Sequence, residues 1–154
     1  MKKYLIKSKL VDGEKKYGIV DDHFNEVVPF QYDQIIGNNG VFILKRNGKP
    51  DEVFSNGKLI ITEKENYYEI EYVIGDSYFK VGRMLEDSSL EYGIIHASLF
   101  GGISIAYPFG KATKMVVDGK RVLLYNEKKT KTRKGVWGDL EVGTLDPIYD
   151  SFYT

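Results

Sequence analysis

Apolar residues in this chain occur in short runs or in strict alternation with polar residues, and turn-forming residues separate the segments. The alternation is clearest in residues 68–72 and 103–107, where Tyr or Ile occupies every second position. No stretch has the 3.6-residue periodicity of an amphipathic helix, whereas a period of two is typical of a strand with one buried face. The pattern therefore predicts an all-β chain.

Three continuous apolar runs, at 41–44, 59–61 and 122–125, predict strands that are buried on both faces. The chain also contains Asn-Gly and Asp-Gly pairs at 12–13, 39–40, 47–48, 56–57 and 118–119. Both central residues of a type I′ turn need positive φ, which Asn, Asp and Gly adopt most readily. We therefore expect type I′ turns at such pairs, with tight hairpins around 56–57 and 118–119.

The predicted strands form a repeating series. Strand starts at Tyr4, Phe42, Phe79 and Val122 are 38, 37 and 43 residues apart. A repeat of this length is one supersecondary unit that buries its apolar face mainly against its neighbours. We therefore expect one domain of antiparallel β-hairpin or meander units in a barrel-like or solenoid-like array. The expected units are residues 4–40, 41–77, 78–118 and 119–154.

Two further anchors recur within these units. An aromatic residue followed by Gly occurs at 17–18, 92–93 and 137–138, and the matching segment of the second unit has lost the Gly. Glycine in a strand lets a large ring lie over the vacant position, so we interpret these pairs as packing devices. A Pro motif recurs too, and Pro29 and Pro147 should lie at strand ends or sheet edges because they cannot donate to a ladder.

These anchors resemble the repeats of the WG-repeat family of bacterial proteins, which combine an aromatic-Gly pair, an Asn-Gly-Lys-type turn and a Pro-x-x-Tyr-Asp motif. The best-matching unit runs from Lys16 to Asp33. The resemblance implies an antiparallel β-repeat array that acts as an interaction module, in some members near toxin–immunity systems, with no catalytic residue and no cofactor. The matched positions, interpreted as structural, are Tyr17, Gly18, Tyr92, Gly93, Trp137 and Gly138.

Composition and charge narrow the function classes. The 22 basic and 22 acidic side chains balance, so no global field draws the protein toward nucleic acid or a membrane. Cysteine is absent, which excludes disulfides, thiolate metal sites and a cysteine nucleophile. No apolar run approaches the roughly 20 residues of a membrane helix, and the basic start of the chain lacks the apolar core of a signal peptide. We therefore expect a soluble, cytoplasmic protein.

Motifs for catalysis and metal binding are missing as well. His23 and His96 are the two histidines, and neither has a second ligand at a spacing that zinc sites use. The chain has no Gly-x-Ser-x-Gly nucleophile motif and no glycine-rich phosphate loop. We predict no catalytic residue, no metal and no cofactor, and therefore a protein that is not an enzyme.

A basic segment at 120–134 is one candidate binding surface. Its core, 126–134, is expected to be an exposed loop that carries Lys128, Lys129, Lys131 and Arg133. Such a loop would contact an acidic partner or phosphates, or it would simply be solvated, since no aromatic residue interleaves the charges.

An acidic segment at 63–76 is the other candidate. Along its alternating strand, Glu69 and Glu71 share one face, with Tyr67 nearby, and would form an acidic patch for a basic protein. In the alternative interpretation, Tyr68 and Tyr72 lie in the core and the acids are only solvated.

Together, these features favour a non-enzymatic protein-binding module, bacterial or phage-borne, that acts as an accessory, inhibitor or immunity-type protein. Its partner would be another protein, such as a toxin or a defence-system component, with no specific nucleic acid and no membrane involved. A carbohydrate or cell-wall ligand is the alternative, because other repeat proteins bind such ligands with stacked aromatic residues. The strands at 4–9 and 148–153 are the expected ends of the array, and they would either pair with each other or be capped separately.

Overall fold

The fold is that of a computed structural model, which describes residues 3–38, 40–73, 77–98, 102–110, 112, 114–119, 121–127 and 132–137. Within these residues the chain forms antiparallel strands and one short 3-10 helix, Glu63–Glu65. The strands are β1 (Tyr4–Val11), β2 (Glu14–Asp21), β3 (Glu26–Tyr32), β4 (Gln34–Asn38), β5 (Val41–Lys45), β6 (Glu52–Ser55), β7 (Lys58–Ile61), β8 (Tyr67–Val73), β9 (Tyr78–Met84), β10 (Leu90–Ser98), β11 (Gly102–Tyr107), β12 (Lys114–Asp118), β13 (Arg121–Glu127) and β14 (Thr132–Trp137).

The described strands pair in chain order into four antiparallel sheets. Sheet 1 is β1-β2-β3, sheet 2 is β4-β5-β6-β7, sheet 3 is β8-β9-β10-β11, and sheet 4 is β12-β13-β14. Among the described residues, each strand pairs with strands that precede or follow it directly in the chain, so each sheet is a meander. The prediction of an all-β chain built from antiparallel hairpins is confirmed.

The chain divides into two compact units, Met1–Asn66 and Tyr67–Thr154. The first contains sheets 1 and 2, and the second contains sheets 3 and 4. A core cluster of the first unit draws on strands of both its sheets: Ile19, Val28, Tyr32, Phe42, Leu44 and Phe54. A cluster of the second unit does the same: Val73, Ile94, Tyr107, Ala112, Met115, Val122 and Leu124. The expectation of a single domain stays a prediction.

The tight hairpins form where Asn-Gly and Asp-Gly pairs predict them. Asn56 and Gly57 have φ values of 49° and 88°, and β6 pairs directly with β7 around them. Asp12 and Gly13 join β1 to β2 in the same way, with φ values of 51° and 79°. The 47–48 pair is different, because only Gly48 has positive φ there, at 73°. The prediction of a type I′ turn is therefore wrong at 47–48, where a longer connection joins β5 to β6. Around 118–119 the tight hairpin forms, but Asp118 pairs with Arg121 and only Gly119 of the two has positive φ, at 61°, so a type I′ turn centred on this pair is wrong as well.

Burial separates the central strands from the edges. In β5, Phe42, Ile43 and Leu44 are all buried, as predicted for a strand covered on both faces. The same prediction is wrong for 59–61, because β7 is an edge strand of sheet 2 and Leu59 remains 41% exposed. Pro29 lies in β3, an edge strand of sheet 1 among the described residues, as expected. Pro147 lies outside the described residues.

Sheets 1, 2 and 3 carry the same β-bulge at the same place. In each sheet, one pair of opposite residues in two neighbouring strands is buried. The first of these strands continues with its next residue, whereas the second strand skips one residue before the following pair forms. The buried pairs are Ile19 with Val28, Val53 with Ile61, and Ile94 with Tyr107, all at most 3% exposed. Sheet 1 has a further register shift on the other side of its buried pair, between Tyr17 and Ile19. A bulge fixes register and bends the strand, so the shared skip allows residues of the three sheets to be compared by their position relative to the buried pair.

The residue directly before Ile19, Val53 or Ile94 occupies what we call the glycine position, because it is a glycine in two of the three sheets. The residues there are Gly18, Glu52 and Gly93. The residue two places after Val28, Ile61 or Tyr107 occupies what we call the ring position, because it is a phenylalanine in two of the three sheets. The residues there are Phe30, Glu63 and Phe109. In sheets 1 and 3 the ring lies directly against the glycine. A Cβ added to Gly93 would be 2.8 Å from the Phe109 ring, and one added to Gly18 would be 3.0 Å from the Phe30 ring. The glycines therefore accommodate rings, but the prediction is wrong about which rings: Tyr17 and Tyr92, which precede the glycines, do not cover them, and the covering ring comes from two residues beyond the buried pair.

We expect Gly93→Ala to destabilise the protein by about 1–3 kcal/mol, because the new methyl group overlaps the Phe109 ring. In a Phe109→Ala background the overlap disappears. The same Gly93→Ala change should then be neutral or stabilising by about 0.5–1 kcal/mol, since alanine loses less entropy on folding than glycine. Urea denaturation of the four proteins measures this reversal of sign.

Gly18 provides the matched control. A Cβ there would be 2.7 Å from the backbone carbonyl oxygen of Val28, which no side-chain truncation removes. Gly18→Ala should therefore stay destabilising in a Phe30→Ala background. Equal costs of Gly93→Ala with and without the Phe109 ring would contradict the packing account.

Candidate functional site

The predicted acidic patch lies on β8, an edge strand of sheet 3 among the described residues. Glu69 and Glu71 are exposed, as expected, and Ile70 between them is buried at 3% exposure. Tyr67 is not part of this surface, because it is buried at 9% exposure and stacks on Phe109, with ring centroids 6.1 Å apart. The β8–β9 register shifts between Tyr67 and Glu69, which turns Tyr67 away from the face of the acids. The assignment of Tyr67 to the exposed patch is therefore wrong.

One acid of the patch already has a partner within sheet 3. The Tyr92 hydroxyl donates a hydrogen bond of 2.9 Å to Glu69 Oε2. Burial, together with this carboxylate, raises the pKa of Tyr92 to about 12, so the hydroxyl remains a donor at neutral pH. Glu71 faces Lys80 across the β8–β9 ladder. The Glu69 carboxylate is therefore held in place within sheet 3, and Glu71 has a cation opposite it on the neighbouring strand.

The predicted basic loop falls mostly outside the described residues, since Lys128, Lys129 and Lys131 lie there. Arg133 lies in β14, opposite Asn126 in β13. The role of these four residues in binding stays a prediction.

The residues of the aromatic-Gly motif are partly inside and partly outside the described residues. Tyr17 is half-buried beneath Lys15, whose Nζ is 5.7 Å from the ring centroid. Tyr92 covers Gly82, where an added Cβ would be 2.9 Å from the Tyr92 ring. In sheet 4, Gly135 faces the buried Leu124, as Gly93 faces Val81, and Trp137 faces Val122. Gly138 lies outside the described residues.

A cation stands over the ring position in sheets 1 and 3. Lys9 Nζ is 4.7 Å from the Phe30 centroid, and Arg83 Cζ is 4.2 Å from the Phe109 centroid. Each cation is on the strand that pairs with the glycine strand, β1 in sheet 1 and β9 in sheet 3. It lies two residues after the residue that is opposite the glycine position. By the same count, Arg46 is the cation position of sheet 2. An aromatic face attracts a cation through its quadrupole, so the cation adds attraction to a ring that already packs against the glycine.

Sheet 2 replaces the glycine and the ring with two carboxylates. Arg46 Nη2 lies 2.8 Å from Glu63 Oε2 and 3.5 Å from Glu52 Oε1. Glu52 is buried at 5% exposure, and it accepts hydrogen bonds from the Tyr32 hydroxyl at 2.6 Å and from the Glu63 amide at 3.2 Å. A buried carboxylate needs such partners to offset its loss of solvation. Because Tyr32 is in β3 and Glu52 is in β6, the network joins sheets 1 and 2.

A second polar link joins the same two sheets. Lys16 Nζ donates a hydrogen bond of 2.6 Å to Asp33 Oδ1, and the Asn47 amide donates one of 2.8 Å to Asp33 Oδ2. These bonds, that of Lys16 first, hold the pKa of Asp33 below its ordinary value of 3.8. Asp33 thus connects β2 to the β5–β6 connection.

The histidines do not come together in a ligand cluster. His23 is in the β2–β3 turn with 80% of its side chain exposed, and His96 is in β10 with its ring 5.0 Å from that of Tyr78. Among the residues that the structure describes, no group of three or more His, Cys, Asp or Glu side chains could hold a metal ion. The same residues include no helix with the length and apolar character to span a membrane.

Two exposed apolar features were missed by the sequence reasoning. The edge strand β1 exposes Leu5, Ile6 and Leu10, at 40%, 36% and 75%. The β2–β3 turn exposes Phe24 at 73%, with φ of 63°. From the sequence, the strand at 4–9 is an expected end of the array, with no prediction for the burial of its side chains. The second had one signal in the sequence, an Asp followed four residues later by an Asn, which is typical of a side-chain-capped turn.

Comparisons with known proteins provide no relative, since no family model, no curated protein and no solved structure matches this chain.

We expect the free energy of unfolding of wild type and Asp33→Asn to converge in acid. The folded pKa of Asp33 is lowered, so its stabilising contribution is complete above the ordinary value of 3.8 and is lost as the pH falls through the folded pKa. Asp33→Asn should therefore be less stable than wild type at pH 7 and similar to it near pH 2. Urea denaturation across this pH range measures the gap, which a pH-independent difference would refute. Lys16→Met should show a smaller gap of the same shape, because the Asn47 amide remains.

Proposed function

We propose that this protein is a non-enzymatic protein-binding module, a bacterial or phage accessory, inhibitor or immunity-type protein. It would capture a protein partner, such as a toxin or a defence-system component, through exposed strand faces and loops. The observation that carries the proposal is the edge strand β1, which exposes three large apolar side chains beside a free ladder edge. The bacterial or phage setting follows from the resemblance to WG repeats.

The edge of β1 has the properties of a strand-addition site. Among the described residues, its eight residues pair with β2 on one side only. Unpaired N–H and C=O groups on such an edge are a template for another strand, and proteins usually shield them. Leu5 and Leu10 would supply apolar contact there, and the exposed Lys7 and Lys9 keep the free edge soluble.

The edge of β8 supports the same function with opposite charge. Glu69 and Glu71 are exposed on it, so a strand that pairs with this edge would carry basic side chains. Complementary charge contributes mainly to association rate and to the choice of partner. The charges on each edge would therefore discriminate among partners of similar shape.

We further infer that the four sheets are copies of one WG-like repeat unit in an array. The shared bulge supports this inference in sheets 1 to 3, and so does the cation position, occupied by Lys9, Arg46 and Arg83. Sheet 2 would then be a diverged copy in which the cation forms ion pairs at the former glycine and ring positions, while Arg46 Cζ lies 5.3 Å from the centroid of the Tyr32 ring of sheet 1. Divergence of this kind keeps one scaffold while it changes the surface that each copy presents.

A double-mutant cycle in sheet 2 tests the common origin. Glu52→Gly together with Glu63→Phe would recreate the Arg, Gly and Phe set of sheet 3 beneath Arg46. Each single change should destabilise the protein, since one leaves an unfilled position and the other places a ring against a carboxylate. We expect a favourable coupling of about 1–3 kcal/mol in the double variant, measured by urea denaturation. Additive costs would contradict the equivalence of the three positions.

The function itself is tested by co-purification followed by affinity measurement. Tagged wild-type protein would be incubated at low salt with lysate of the source bacterium, and any recovered protein would be identified, purified and titrated by calorimetry. Leu5→Asp should weaken binding about tenfold or more, because it places a charge in the contact. Leu85→Asp is the matched control, since Leu85 is equally exposed (41%) but lies in a connection outside β1. Recovery of no protein, or equal losses for both variants, would overturn the proposal.

A further inference from the structure

The β2–β3 turn holds an aromatic side chain outward in an unfavourable backbone conformation. Phe24 has φ of 63°, in the left-handed region that bulky residues rarely adopt, and its side chain is 73% exposed. Strained bulky residues persist only where the surrounding structure imposes the conformation, and such strain is found mainly at functional sites. The strained backbone, which holds a large ring in solvent, therefore calls for an explanation by function.

Asp21 builds the turn that imposes this conformation. Its Oδ1 accepts hydrogen bonds of 2.9 Å from the amides of His23 and Asn25, and its Oδ2 accepts one of 3.3 Å from Asn25 Nδ2. The backbone closes the same turn, because Phe24 N donates to Asp21 O and Asp21 N donates to Asn25 O. Asp21 is only 7% exposed, and these hydrogen bonds hold its pKa below the ordinary value. The turn is thus fixed before any partner arrives, which lowers the entropy lost on binding.

The turn itself carries acidic groups. Residues 21–27 contain no Lys or Arg, although the β1–β2 register places the exposed Lys3 next to the Tyr4–Asp21 pair. Asp22 and Glu26 are exposed, whereas Asp21 is only 7% exposed, and Val27 is 38% exposed. The turn therefore presents one large ring together with two exposed carboxylates, which form its acidic rim.

We propose that Phe24 is a preformed anchor that inserts into an apolar pocket with a basic rim on a protein partner. This inference rests on the proposed protein-binding function and adds a surface and a partner chemistry to it. Buried aromatic anchors dominate the energetics of many interfaces, and complementary rim charges steer the encounter. A second copy of this chain is a poor occupant, because two such turns would bring like charges together. An anionic lipid surface is equally unsuited to the acidic rim.

Substitution of Phe24 by glycine separates a binding role from a structural one. Glycine adopts φ of 63° without strain, so Phe24→Gly should melt at the same temperature as wild type or higher. The same variant should weaken binding of the co-purified partner about thirtyfold or more, as expected for a central anchor. Phe24→Tyr should retain most of the affinity because it retains the ring. A lower melting temperature for Phe24→Gly, or unchanged binding, would overturn the inference.

Photocrosslinking identifies what the ring contacts. A benzophenone amino acid at position 24 should crosslink to one protein in the lysate, at peptides that contain apolar residues flanked by Lys or Arg. The same probe at position 85, in a connection outside the turn, is the control. Higher salt should reduce crosslinking at position 24, since the rim contact is electrostatic. Crosslinks to peptides without basic residues would overturn the proposed partner chemistry.

The two proposals fail in different ways. If a partner is recovered and Leu5→Asp weakens its binding while Phe24→Gly does not, the anchor is wrong and the binding function stands. If no protein is recovered and position 24 crosslinks to nothing, both are wrong.

Discussion

The contact of an aromatic ring with a strand glycine is the constraint on which sheets 1 and 3 depend. Phe30 lies over Gly18 and Phe109 lies over Gly93, and a cation lies near the centroid of each ring, at 4.7 Å and 4.2 Å. The contact requires the ring to arrive from two residues beyond the buried pair, which the bulge makes possible by bending the partner strand. Glycine, ring, cation and bulge are therefore one device, and a change in any member must be matched by the others.

Sheet 2 illustrates such matched change. With Glu52 at the glycine position there is no space for a ring, and Glu63 at the ring position turns its backbone amide to the Glu52 carboxylate. Arg46 remains at the cation position and pairs with both acids. The buried carboxylate also accepts the Tyr32 hydroxyl, so the altered copy gains a polar connection to sheet 1. Such a network adds specificity of packing more than net stability, because each charge also loses solvation.

The sequence predicts correctly those features that depend on the conformational preferences of a few neighbouring residues. It does not predict features that depend on strand register or on a backbone conformation imposed by another residue. The hairpins at 12–13 and 56–57 follow from the φ preferences of their residues, and the glycine packing follows from the missing side chain. The burial of Tyr67 was missed because one skipped residue in β8 reverses the alternation on which the prediction relied. The exposed ring of Phe24 was missed because a strained backbone is imposed by Asp21 and is not preferred by the residue itself.

The most direct measurement of the central contact is the proton NMR spectrum of the native protein. A glycine α-proton that points into the face of an aromatic ring is shifted upfield by the ring current. The account predicts that Gly18 and Gly93 each have one α-proton well upfield of the usual glycine range, and that Phe30→Leu and Phe109→Leu return the respective proton to it. Ordinary shifts for both glycines in the wild type would contradict the account.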